Sequence, residues 1–151
     1  MTVRTNAGTT LAIGSTQTNA LTDVYTSVGE VRNIGDFGRV YNQIEHSVLS
    51  DRNVQKFKGQ RDDGTLEVEL GYDAADTGQT AMKTALDSDL DYNFRIVLND
   101  ASSVSGSHGT MFHMKAKVMQ EVKMLGDANN IVRSKVVLAI KSGSITETAA
   151  T

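Results

Sequence analysis

Four apolar side chains, Leu66, Val68, Leu70 and Tyr72, alternate without a break with Glu67, Glu69 and Gly71. A period of two sends successive side chains to opposite faces of an extended backbone, so this run reads as a strand with one dry face and one wet face. The alternation returns at Tyr92, Phe94, Ile96 and Leu98, set against Asn93, Arg95, Val97 and Asn99, and resumes through Val132, Val136, Leu138 and Ile140. Strands of this kind, separated by glycine-rich and Asn/Asp-rich turns, predict a mainly β domain: a β-sandwich or rolled β-barrel.

Residues 111–125 fit two periods. Met111, Met114, Val118, Val122 and Leu125 make a helical stripe, whereas Phe112, Met114, Ala116 and Val118 alternate with His113, Lys115 and Lys117. The turn-rich pentapeptide Gly126-Asp127-Ala128-Asn129-Asn130 decides for a strand, because it joins this segment to the next alternating run as a terminal hairpin. Residues 73–88 change period. Gly78, Ala81, Met82, Ala85 and Leu86 share one helical stripe, Asp76 or Thr77 can cap it, and one short flanking helix is predicted. Ahead of the strands lies a polar arm over residues 1–10, then a first strand at Leu11 to Ile13. Short β-prone pieces follow around Val24, Thr26, Val28, Val31 and Ile34, broken at Gly29, Gly35 and Gly38. Residues 100–109 are a small polar loop, and residues 142–151 a polar tail expected to be disordered unless a neighbour holds it.

At 151 residues the chain suits a single domain spanning 1–151. Cysteine is absent, so no disulfide or thiolate zinc site can staple it, and stability must come from packing, hydrogen bonding or association. A net charge of −3 argues against a strongly basic nucleic-acid surface. No window approaches the roughly 18 apolar residues of a membrane helix, and no basic segment with an apolar core opens the chain, so a soluble protein without a secretion signal and without membrane partners is expected.

Residues 50–64 stand apart. Charged and amide side chains crowd there and almost nothing is apolar, yet hairpin loops usually need only about 2 to 5 residues. So long a polar excursion between two strand-like runs reads as an extended hairpin loop serving as an interaction arm. Phe57, an isolated aromatic within it, reads as an anchor.

Catalytic and cofactor motifs do not emerge, and a non-enzymatic protein with no cofactor is expected. His46, His108 and His113 lack metal-ligand spacing. Glu45, His46 and Ser47 cannot converge, because neighbours on a strand point to opposite faces. The run Asp87-Ser88-Asp89-Leu90-Asp91 imitates the start of a calcium loop but continues to Tyr92 where glycine is needed and Leu98 where glutamate is needed. The glycines around Gly64 and Gly109 lack the spacing and lysine of a phosphate loop.

The order of features (polar arm, short strands, hairpin with a long charged loop, one helix, a strand, a terminal hairpin) resembles the major tail protein, or tail tube protein, of long-tailed phages, and is similar to the type VI secretion tube protein. The resemblance is carried by Ala7-Gly8-Thr9-Thr10-Leu11, by Leu66 to Leu70, by Gly78-Gln79-Thr80-Ala81 and by Tyr92 to Leu98, over nearly the whole chain. It implies a structural virion protein, made in the host cytoplasm, whose copies close into hexameric rings that stack head to tail into a hollow tube delivering DNA to the host. Its implied partners are itself, tape-measure, tail terminator and distal tail proteins, and duplex DNA that passes through the lumen without specific binding. Under it Asp51, Arg52, Lys56, Phe57, Lys58, Arg61, Asp62 and Asp63 become the inter-ring contacts, and Glu67 and Glu69 become candidate lumen-facing residues on an acidic or neutral wall. The alternatives are a monomeric β-barrel binding a small ligand, or another virion decoration protein.

Overall fold

The computed structural model describes residues 3–151; the first two residues of the expected N-terminal arm lie outside it. Among the described residues, ten strands and one α-helix follow in the order β1 (Thr10–Ile13), β2 (Thr26–Val28), β3 (Val31–Ile34), β4 (Tyr41–His46), β5 (Gln55–Arg61), β6 (Thr65–Gly71), α1 (Thr77–Leu86), β7 (Tyr92–Val97), β8 (Met111–Met124), β9 (Arg133–Ile140) and β10 (Thr146–Thr148). All pairings are antiparallel. The main sheet runs β2-β1-β7-β8-β9-β6-β3, with β10 on β8, while β4 and β5 pair only with each other.

The edge strands of that sheet, β2 and β3, are consecutive in the chain and separated only by Gly29 and Glu30. Three peptide steps span at most about 11 Å, so the sheet has to roll until its edges meet at this corner. The residues turned inward then form one core: Leu11, Ile13, Val28, Leu66, Val68, Leu70, Phe94, Ile96, Met114, Ala116, Val118, Val136, Leu138 and Ile140. β8 makes the roll possible. Its first half pairs with β7 and its second with β9, and the register slips between Val118 and Gln120, leaving Met119 as the extra residue that bends the strand.

Helix α1 closes the gap left at the corner. Asp76 caps it, accepting from the Gln79 amide (2.9 Å), and the same carboxylate oxygen also accepts from the Gly29 amide (3.1 Å). The buried Gln79 side chain donates to the carbonyls of Gly29 (3.2 Å) and Gly71 (2.9 Å) and accepts from the Asp73 amide (3.1 Å). One amide therefore latches the β2–β3 corner to the end of β6. Gly78 lets the helix approach this closely, since a Cβ there would sit 2.3 Å from the Ser27 carbonyl oxygen.

Two regions differ from the sequence reading. Seven of the fifteen residues in the polar stretch 50–64 are strand, because β5 occupies Gln55–Arg61 and the connecting loop is confined to residues 47–54. The C-terminal segment is ordered by its own chain: β10 pairs with the start of β8, and Thr151 exchanges backbone hydrogen bonds with Ser102 and His108.

Candidate functional site

Hairpin β4–β5 stands off the rolled sheet, and every residue of β4 is exposed. Cross-strand register sets Ile44 opposite Phe57, so the two apolar side chains share one face; Ile44 is 52% and Phe57 54% exposed. Gly59 gives Ile44 room, its missing Cβ position lying 3.0 Å from the Ile44 Cδ1. The opposite face is polar. Gln43 donates to Glu45 (2.8 Å), and the Lys58 ammonium lies 5.0 Å from the centre of the Tyr41 ring. Val54 and Leu49, also exposed, extend apolar surface toward the tip, where an Asx turn from Asp51 to the Asn53 amide shapes the loop.

At its base the hairpin is clamped to the body. Arg61 donates twice to Asp63, at 2.7 and 2.8 Å, and Asp63 also accepts from the Gly143 amide (3.1 Å), while its own amide donates to Ser142 Oγ (3.2 Å). The Arg61 guanidinium holds the Asp63 carboxyl below the ordinary carboxylate range, outweighing the opposing push of burial, and the same pair raises Arg61. The hairpin is thus aimed by a bidentate pair tied to the C-terminal segment.

This geometry divides the eight residues expected as inter-ring contacts. Asp51, Arg52, Lys56, Phe57 and Lys58 are exposed on the tip and on β5, and Asp62 is exposed at the base. Asp63 is a correction: it is only 4% exposed and its carboxylate is already engaged within its own chain, so it orients the arm and presents no surface. Arg61, half-buried, spends its guanidinium on that carboxylate. Sequence reasoning did not assign Ile44 or Tyr41 to this surface. The available signal was that Ile44 has no apolar partners at the spacing a core strand would need.

Glu67 and Glu69 do lie on the wet face of β6, but neither is alone. One oxygen of Glu69 is shared by Arg32 on β3 (3.2 Å) and Arg133 on β9 (3.1 Å), and Glu67 faces Lys135 on β9 (3.4 Å). Farther along the same outward face, Lys117 on β8 is neutralised by Asp91 (2.6 Å). The face carries a small positive excess, with three cations against two carboxylates on β3, β6 and β9.

The three histidines are far apart in role. His46 ends β4 on the hairpin, and His108 sits in the 100–109 loop with Nδ1 against the Gly109 carbonyl. His113 is buried on β8, on the face away from the core, under a strap formed by residues 14–25. Asp23 pins that strap through Ser15 (2.6 Å to its amide) and Asn93 (2.7 Å), and Tyr25 covers both His113 and Arg95. Burial lowers the His113 pKa, and Arg95 lowers it further. Burial likewise pushes the Tyr25 hydroxyl up to about 12. Among the described residues no three His, Cys, Asp or Glu side chains gather as a metal site would require.

Several solved structures share this arrangement of strands. The sheath/tube terminator of an extracellular contractile injection system superposes with a TM-score of 0.75 over 99% of both chains, at 13% identity. The SPP1 tail tube protein does so at 0.67, with 15% identity over 93% of this chain and 77% of that one. The fold is that of tail tube proteins. The tail protein of an empty gene transfer agent particle, a tail of C6 symmetry, matches at 0.67 and 11% identity over 97% of this chain and all of its own. No protein-family model and no curated protein matches the sequence.

Proposed function

We propose that this chain is a non-enzymatic structural subunit of a tail, whose copies close into hexameric rings and stack into a hollow tube that conducts DNA. The observation that carries this reading is the projecting hairpin: a clamped two-stranded arm with Ile44 and Phe57 on one face, both more than half exposed among the described residues. A two-stranded hairpin is marginal alone in water, so an arm clamped at its base is consistent with one that finishes its packing on another molecule. The outer edge of β3, four residues long, is a further place where a neighbouring copy can add backbone hydrogen bonds. Six-fold symmetry in the particle of one structural relative and in the baseplate assembly of another supports the ring number.

Head-to-tail stacking joins two different faces, and a protruding arm on one side suits such a heterologous contact. Tape-measure, terminator and distal tail proteins are the partners this role would bring, and a virion tail the location. Sedimentation velocity at rising concentration tests it. The wild-type chain should form large species, and Ile44→Ser/Phe57→Ser should remain a folded monomer at concentrations where the wild type assembles. Equal assembly by the double variant would remove the hairpin from the account.

A further inference from the structure

The outward face of β3, β6 and β9 holds more positive than negative charge, although the chain as a whole is acidic at −3. Its cations are not scattered. Arg32 and Arg133 converge on a single carboxylate oxygen of Glu69, so they lie within a few ångströms of each other, and Lys135 stands one register step away beside Glu67. Guanidinium groups held this close normally mark a phosphate or carboxylate partner, and here the partner is built into the neighbouring strand. The pairs are only partly buried and contribute about 0 to 1 kcal/mol each to stability, so folding alone gives little reason for two glutamates on this strand.

We infer that this sheet face is a latent polyphosphate-binding surface, which Glu67 and Glu69 keep silent by occupying Arg32, Arg133 and Lys135. Duplex nucleic acid carries about one charge per 1.7 Å, and a wall with free lysine and arginine would hold it through counterion release. With both carboxylates in place every cation of that trio is paired and the face keeps a single excess positive charge, so a duplex finds no free cation to grip. The inference rests on the tube reading only for the claim that DNA is what passes. The masking itself is a property of the single subunit and is measurable on it.

The experiment compares wild type, Glu67→Gln/Glu69→Gln and Glu69→Gln alone, as dilute subunits whose fold is checked by circular dichroism, for binding to a fluorescent duplex DNA at about 20 mM salt, where electrostatic binding is strongest. A control, Asp87→Asn/Asp89→Asn, changes the net charge by the same two units at exposed positions outside this face. The double glutamine variant should bind at least tenfold more tightly than wild type or control. Its log K should fall with log salt at a slope of about −3, as three released phosphate contacts require. Glu69→Gln, which frees both arginines, should give most of the gain. Binding by the control equal to that of the glutamine variant, or no gain in either glutamine variant, overturns the inference. If the variants bind while wild type never forms rings, the masked face stands and the tube reading falls.

Discussion

Gln79→Ala removes the latch that closes the rolled sheet, and its cost can be worked from the geometry. Three hydrogen bonds disappear, two donated to the carbonyls of Gly29 and Gly71 and one accepted from the Asp73 amide. At about 0.5 to 1.5 kcal/mol each they sum to about 3 kcal/mol, with water entering the vacated volume lowering the figure and stranded buried carbonyls raising it. For a domain of this size, about 3 kcal/mol corresponds to a fall of roughly 6–12 °C in Tm. Urea unfolding followed by far-ultraviolet circular dichroism measures it, on the Ile44→Ser/Phe57→Ser background so that association does not add to apparent stability. Gln79→Glu discriminates mechanism, because a carboxylate cannot donate to the two carbonyls and should be at least as damaging as alanine. A loss below about 0.5 kcal/mol for Gln79→Ala, or a neutral Gln79→Glu, would refute the latch.

Asp63→Asn leaves Arg61 facing an amide and loosens the base of the hairpin, so the variant should be less stable than wild type at neutral pH. Because the folded pKa of Asp63 lies below its ordinary value of 3.8, the stability it supplies is present above that value and lost as pH falls through lower values; the gap between the two proteins in pH-dependent urea titrations should narrow there. His113 has a folded pKa below 6.5, so its neutral form favours folding above that pH, and stability should decline as pH falls from 6.5 toward the lowered value. His113→Gln should flatten that limb in the same titrations, and amide protection across residues 14–25, relative to the intrinsic exchange rate at each pH, should fall at low pH in wild type only. An unchanged limb in the variant would mean the strap is indifferent to His113.

What could be read in the sequence was whatever the core imposes. β6 and β9 are buried on one face, and their alternation gave them away; β8 was resolved by the turn at residues 126–130 rather than by its own period. β5 was invisible because both its faces are wet. Lys56, Phe57 and Lys58 show no burial pattern where there is no core to face, and only pairing with β4 makes the segment a strand. The burial of Asp63 depends on Ser142 and Gly143, nearly eighty positions away, and that of His113 on the strap over its outer face, so local charge and period carry no trace of either. The place of Glu67 and Glu69 on the polar face of β6 follows from the period, whereas their pairing with Arg32, Arg133 and Lys135 requires three strands to be side by side. β10 escaped notice for the same reason as β5, since Thr146, Glu147 and Thr148 offer backbone pairing and little else.

Self-assembly is the claim on which the function depends, and electron micrographs of the purified wild-type protein at increasing concentration address it most directly. The account predicts annular particles with six-fold symmetry that stack into tubes with an open centre. A population of single compact particles persisting to millimolar concentration would contradict it.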